Sequence, residues 1–326
     1  MINCAIVGAT GLVGRTFLKI LEEKNIQLNY DLFASKKSEG KKITFFDNEY
    51  IVHELKEDSF ENKHYDFALF SAGNKVSQKY VPLASKTGCV VIDNSSFFRM
   101  DADVPLIIPE INMQDAKNIS KNIIANPNCS TIQAAILLNP IHKLYSIKRV
   151  VFSTYQAVSG AGKKAIDDLT NSGKDYILQK FDYPIINNCI PQIDVFLENS
   201  YTKEEIKMIE ETKKILHDNS IKITATCIRV PVINCHGESI NIETNIPFKI
   251  EDIKQLLSQS DGVAVLDDIQ RKIYPLSTFA NGKDEVFVGR IRRDYSVENG
   301  INLWCVADNL RKGAATNAVQ ILQNLL

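Results

Sequence analysis

The segment Asn126-Pro127-Asn128-Cys129-Ser130-Thr131 sets one thiol between an apolar run, Asn122 to Ala125, and an apolar-periodic stretch, Ile132 to Leu138. That order reads as strand, turn and helix, and it places Cys129 at a helix N-terminus. Orphan backbone N–H groups and the positive end of the helix dipole favour thiolate over thiol there and offer donors to an oxyanion. Alone, a free cysteine is more often a small core hydrophobe, so its chemistry depends on what else the chain supplies. The stretch from Arg229 through Pro231 and Cys235 to His236 supplies an arginine and a histidine, read as lying on a strand and its exit. They suit a substrate-anchoring cation and an acid/base that takes a thiol proton and returns it near neutral pH. By itself His236 reads more readily as a surface or satisfied polar group than as a catalytic one. A third cluster, Tyr155-Gln156-Ala157-Val158-Ser159-Gly160-Ala161-Gly162, ends a strand in a glycine-rich turn beside an amide.

Such a nucleophile needs a co-reactant, and the N-terminus offers one. Asn3 to Val7 reads as a short buried strand that runs into Gly8-Ala9-Thr10-Gly11-Leu12-Val13-Gly14 and then into a helix with Val13, Phe17, Ile20 and Leu21 on one face. Glycines in such a turn let the backbone approach a pyrophosphate, which the helix N-terminus binds. The spacing, G-x-x-G-x-x-G, departs from the commoner G-x-G-x-x-G. The next strand, Tyr30 to Ala34, ends in Ser35-Lys36-Lys37-Ser38, where an NAD site presents a carboxylate to the ribose 2′-hydroxyl. Hydroxyls and cations suit a 2′-phosphate instead, so the expected cofactor is NADP.

The elements that position these groups follow from pattern and size. At 326 residues, two domains are the default, and 44% hydrophobic with 24% charged residues describe a globular chain. A net charge of −1 leaves no footprint for nucleic acid or an anionic membrane. Seven cysteines without CxxC spacing, and a first strand starting at residue 3, point to the reducing cytoplasm with no metal site and no signal peptide. No apolar run approaches the length of a membrane helix. Strand-like runs at 67–70, 89–92 and 123–124 alternate with helical or loop segments, which predicts a Rossmann-like parallel α/β domain over 1–127. Longer alternating strands follow at 148–156, 224–232, 239–244, 286–293 and 301–306. Helices are expected at 163–171 and 203–216, the latter announced by Thr202 and Glu205 as a capping box. These predict an α+β domain over 128–308 with an antiparallel or mixed sheet, while a C-terminal helix within 309–326 completes the first domain.

Taken together these motifs, with Cys235-His236-Gly237-Glu238-Ser239 and Asp308-Asn309-Leu310-Arg311-Lys312-Gly313-Ala314-Ala315, resemble those of the aspartate-semialdehyde dehydrogenases, in that family's order and over the whole chain. The resemblance implies NADP-dependent reductive dephosphorylation of L-4-aspartyl phosphate to L-aspartate 4-semialdehyde, feeding lysine, threonine, methionine and, in bacteria, diaminopimelate. It implies that Cys129 forms an acyl-thioester, that His236 is the acid/base and that Gln156 holds the substrate. Arg229 would fork the α-carboxylate, Glu204 would take the amino group, and Lys207, Arg99 and Asn128 would bind the phosphate. Thr10, Gly11, Leu12 and Val13 would contact the cofactor phosphates, and Lys37 and Ser38 the 2′-phosphate. Ser159 and Gly160 would lie on the nicotinamide side and Asn309 by the carboxamide. A homodimer through the second domain, or a dimer of dimers, is implied as well.

Two departures from the family pattern stand out. Lysine stands at 37 where arginine is common, and Gly73-Asn74 replaces a glycine pair. A lysine is a point charge without the guanidinium fork, so cofactor discrimination weakens; asparagine tolerates unusual backbone angles less well than glycine. Two other readings stay open: an acyl-phosphate reductase for an N-acetylglutamyl substrate, whose amine could not bind Glu204 as an ammonium, and a cofactor sensor without turnover. Without the resemblance, Glu204 and Lys207, three apart on a helix, read as a surface ion pair.

Overall fold

The computed structural model describes residues 2–61, 63–117, 119–171 and 176–326. It divides into two compact units, one running to Asn128 and including Ala314–Leu326, the other Cys129–Gly313.

The first unit is built on a sheet whose inner strands are mostly apolar and buried, as a sheet covered on both faces requires, while the hairpin at one edge alternates polar and apolar residues. Its strands are β1 (Asn3–Val7), β2 (Asn29–Ala34), β3 (Lys42–Phe45), β4 (Asn48–Glu54), β5 (Phe67–Phe70), β6 (Val90–Asp93) and β7 (Ile123–Ala125), in spatial order β3-β4-β2-β1-β5-β6-β7. All neighbouring pairs are parallel except the β3–β4 hairpin at one edge. Helices α1 (Leu12–Glu23), α2 (Asn74–Lys86) and the short α3 (Pro109–Asn112) lie between strands, and α9 (Thr316–Leu325) returns at the chain's end. Ala318, Val319, Ile321 and Leu322 of α9 join Phe17, Ile20 and Leu21 of α1 in one buried cluster. The helix expected near the C-terminus is thus split. A single π-helical turn, Arg311–Ala315, precedes α9, and the division between units falls inside that turn.

The second unit carries α4 (Cys129–Tyr145), β8 (Ile147–Gln156), α5 (Lys163–Thr170), α6 (Lys203–Leu216), β9 (Lys222–Arg229), β10 (His236–Thr244), α7 (Ile250–Ser258), β11 (Val263–Val265), α8 (Ser277–Ala280), β12 (Val286–Asp294) and β13 (Gly300–Ala307). Its sheet is mixed, in order β11-β12-β13-β10-β8-β9, with β8–β9 and β11–β12 parallel and the other pairs antiparallel. Every residue of α4 from Ser130 to Leu138 is buried, the polar Ser130, Thr131 and Gln133 included. It packs on β8, β10 and β13 and against α6 and α7. The strand expected at 224–232 stops at Arg229, because Pro231 has no N–H for a ladder. Arg229 and His236 therefore belong to different strands, not to one strand and its exit.

Candidate active site

Sheet register explains how distant residues meet. Gln156, the last residue of β8, pairs with Arg229, the last of β9. On the other side of β8, Gly237 pairs with Tyr155, which sets His236 opposite Gln156 at the same end of the sheet. Paired residues share a face, so Gln156, Arg229 and His236 project together from three adjacent strand ends, and all three are buried. Gly160, in the turn after β8, closes over them. A Cβ there would stand 3.3 Å from both Arg229 Nη1 and His236 Nε2.

Cys129 opens α4, half-buried, and its charge acts on Arg229. One turn further on, Gln133 Nε2 donates to the His236 carbonyl oxygen at 3.3 Å and to Cys305 Sγ at 3.3 Å. The last sequence motif reaches the same place. Asp308 accepts from the N–H groups of Leu310 and Arg311, and its other oxygen accepts from that of Gly282. That turn brings Gly313 so close that a Cβ on it would lie 2.9 Å from the Cβ of Cys129.

The imidazole has one defined tautomer. His236 Nδ1 accepts from the Ala157 N–H at 3.0 Å, so the neutral ring carries its proton on Nε2, which is buried and has no partner among the described residues. Burial, followed by the nearby Arg229 charge, pushes its pKa down to about 3 against the opposing charge of Glu204. The ring is therefore a hydrogen-bond donor at neutral pH. While Ala157 holds Nδ1, it offers no lone pair to a thiol.

Around these groups the substrate candidates are already organised. Gln156 Nε2 donates to Glu204 Oε1 at 3.2 Å, and Lys207 Nζ lies 3.1 Å from Glu204 Oε2 and 2.9 Å from Asp194 Oδ2. The Glu204–Lys207 pair exists, but the Glu204 side chain is only 6% exposed, so it is not the surface pair of the simple helix reading. Arg229 Nη1 donates to the Ala157 carbonyl at 2.6 Å, and burial lowers its pKa while the guanidinium stays charged. A cavity of about 260 Å³ opens on Arg229 beside Ile190, Gln192 and Asp194. Asn309 and Ser159, also buried, hydrogen-bond to each other, and Asn309 Oδ1 takes the N–H of Cys235, a residue held at φ 75°.

In the first unit, a cavity of about 380 Å³ is lined by Gly8, Thr10, Gly11, Ala34, Ser35 and Ser71, among others. Gly8 has φ +88°, and a Cβ would stand 2.8 Å from the Ser71 carbonyl oxygen; on Gly14 it would stand 2.1 Å from that of Gly8. These close approaches account for the glycine spacing. No side chain caps α1 and its first turn holds no acid, so its N–H groups suit a pyrophosphate. Thr10 and Ser38 hydroxyls are 3.4 Å apart, and Leu12 and Val13 open the helix beside them. Lys36 and Lys37 project from the short turn after β2, on the exposed surface. At the second departure Gly73 takes the left-handed angle, φ +86°. Asn74 begins α2 and exchanges hydrogen bonds with Ser96, so it carries no strain. Arg99 and Asn128 are buried in this unit, Arg99 donating to the Asn94 carbonyl.

Residues 3–119 match the family model described as semialdehyde dehydrogenase, NAD binding domain, and residues 138–312 match semialdehyde dehydrogenase, dimerisation domain. The aspartate-semialdehyde dehydrogenase of Aquifex aeolicus is 54% identical over 332 residues, covering 99% of this chain and 97% of the relative. The chain belongs to the aspartate-semialdehyde dehydrogenase family. The Bacillus subtilis member is 47% identical, again over 99% of this chain and 97% of the relative. The solved structure of aspartate semialdehyde dehydrogenase II from Vibrio cholerae complexed with ASA superposes with a TM-score of 0.95 at 46% identity, covering 100% of this chain and 98% of that one. Membership makes the chain an oxidoreductase with a nicotinamide-cofactor domain, and the dimerisation domain supports a homodimer. Among the described residues no helix is long and apolar enough to cross a membrane.

Several residues of this family site escaped the sequence reading. The Ala157 N–H that fixes the imidazole is a backbone group, invisible in side-chain types. Asn126 donates to Asn94 Oδ1 and the Ala314 carbonyl, and Asn317 donates to Asn126 Oδ1, a buried amide chain supporting the loop before Cys129. Glu238 had a signal: it stands two residues from His236 on a strand, hence on the same face.

Proposed function

We propose that the protein reduces L-4-aspartyl phosphate to L-aspartate 4-semialdehyde through a Cys129 acyl-thioester, with NADP as its cofactor and inorganic phosphate released. The convergence of Gln156, Arg229 and His236 at three neighbouring strand ends, together with Cys129 at the head of α4, carries this reading. The α4 N-terminus and the Arg229 charge favour an anionic sulfur. It attacks the acyl carbon, the bond to phosphate breaks, and the thioester forms. When bound, the cofactor supplies the hydride that reduces this thioester. The oxyanion formed at each stage takes a hydrogen bond from His236 Nε2–H. Thiolate enters the cycle and thiolate leaves it, and the one proton consumed goes from solvent to the departing phosphate, so a neutral donor suffices and no proton need pass through the ring. Arg229 forks the α-carboxylate, Glu204 takes the ammonium, and Gln156 orients the acyl group between them. Lys207, Arg99 and Asn128 are assigned to the phosphate.

For the cofactor, the assignment is Thr10, Gly11, Leu12 and Val13 to the pyrophosphate, Lys37 and Ser38 to a 2′-phosphate, and Ser159, Gly160 and Asn309 to the nicotinamide end. The chain's first portion with its C-terminal helix is the cofactor domain and the remainder the catalytic and dimerisation domain. The seven cysteines, none of them in a disulfide, support a reducing, cytoplasmic setting. The test is a steady-state assay of semialdehyde oxidation with phosphate and either NADP or NAD, on wild type and a Lys37→Ala/Ser38→Ala variant. NADP is the better cofactor in wild type, and the variant narrows the ratio of kcat/KM values by weakening NADP alone. An unchanged ratio removes these residues from cofactor choice, and no phosphate-dependent activity removes the reaction.

A further inference from the structure

Glu238 lies two residues along β10 from His236, on the same face and fully buried. Neither of its carboxyl oxygens has a well-formed hydrogen bond among the described residues. The groups acting on it are Ser130 and Gln133 of α4 and Glu204 of α6, Thr154 of β8 stands opposite it in the sheet, and the thiols of Cys227 on β9 and Cys305 on β13 feel its charge in turn. None of these is a cation. A buried carboxylate with no compensating charge is untenable, and such a group takes up a proton instead. Burial, far ahead of the other influences, pushes its pKa well above the carboxylate range.

A carboxylic acid has one O–H to donate and a carbonyl oxygen that accepts. Gln133 is the complement. Both contacts of its amide nitrogen are made, to the His236 carbonyl and to Cys305, while its Oε1 is buried with no donor among the described residues. Ser130, the residue after the nucleophile, supplies a buried hydroxyl on the same helix.

We propose that Glu238 is a neutral hydrogen-bond bridge that sets the Cys129 turn of α4 against His236 on β10, its acid O–H donating to Gln133 Oε1 and its carbonyl oxygen accepting from Ser130. It is a positioning residue, and the proposal rests on the reading of Cys129 as nucleophile and His236 as oxyanion donor. Position matters at such a site because a misplacement of about 1 Å costs on the order of 10²-fold in rate.

The experiment compares Glu238→Gln with Glu238→Met. Glutamine offers the same donor and acceptor without charge; methionine fills the space without either. Measured are kcat and KM for the semialdehyde, the rate of Cys129 alkylation by iodoacetamide across pH, and the infrared difference spectrum of wild type minus Glu238→Gln. Expected are a kcat near wild type and an unchanged alkylation profile for Gln. For Met, kcat falls roughly tenfold or more at nearly constant KM, with an altered alkylation profile. The difference spectrum should show the carbonyl stretch of a protonated carboxyl. A Gln variant as impaired as Met, a Met variant with wild-type kcat, or a carboxylate band in place of the acid band would each overturn the bridge. Should Met fail to fold, the Gln kinetics and the infrared band still decide. Wild-type protein inactive on the semialdehyde would sink the catalytic reading, while the infrared and alkylation results would still judge Glu238 separately.

Discussion

His236 is where residue chemistry constrains the mechanism most. Its Nδ1 is occupied by the Ala157 N–H and its pKa is pushed down to about 3, with burial as the main cause and Arg229 the second. A lowered pKa means the ring remains neutral from pH 7 down to about 3, whereas an unperturbed imidazole would charge near 6.5. The acid limb of kcat/KM is therefore expected to arise from a group other than His236. Replacing it with asparagine is expected to lower kcat by roughly 10²- to 10³-fold, the cost of one oxyanion donor, while leaving the position of the acid limb unchanged. A limb near pH 6.5 in wild type that disappears in His236→Asn would instead show the ring to be a titrating base. The residue types were legible in the sequence, since cysteine, glutamine, arginine and histidine each stand in a recognisable motif. Their roles were less so, because the tautomer of His236 depends on the backbone N–H of Ala157, which side-chain types do not reveal.

At the scale of elements, α6 shows how local rules carry over into the site. Thr202 Oγ1 accepts from the Glu205 N–H at 3.3 Å and the Thr202 N–H donates to Glu205 Oε2 at 2.7 Å, the capping box read from the sequence. Glu205 Oε1 also accepts from the Cys227 N–H at 3.1 Å, tying the helix that carries Glu204 and Lys207 to β9, which ends in Arg229. Thr202→Ala should cost about 1 kcal/mol, a typical cap loss, and Glu205→Ala more, about 1–3 kcal/mol beyond the cap, because a buried N–H of β9 loses its acceptor as well. Urea unfolding midpoints check the order; equal losses would mean that the Cys227 contact contributes nothing. Helix bounds at 203–216 and strand bounds at 67–70 were legible because cap and apolar pattern agree there. The β3–β4 hairpin was not, because its turn residues, Phe46 and Asp47, adopt φ 48° and 55° without the Asn-Gly signal that marks such turns. The Arg229–His236 relationship was misjudged for a different reason. Seven residues of sequence hide a strand end, a proline-interrupted loop and a strand start, and only sheet order reveals β8 between them.

For the whole molecule, the fold class was legible because parallel and antiparallel sheets leave different apolar patterns, continuous in the first unit and alternating in the second. The C-terminal segment was harder, since one continuous periodic stretch contains both the π-helical turn within which the units divide and the helix that packs on α1. The central claim of the proposed cycle is that Cys129 carries the acyl group. The most direct measurement omits phosphate. With excess semialdehyde and NADP, the Cys129 thiolate adds to the aldehyde, the cofactor would take the hydride, and the resulting thioester has no phosphate to accept its acyl group. The account predicts a rapid absorbance burst of one NADPH per active site, an aspartyl mass increment on the Cys129 peptide, and discharge of both the block and the adduct when phosphate is added. Turnover that continues without phosphate and leaves Cys129 unmodified, or a burst that survives in Cys129→Ser, would contradict it.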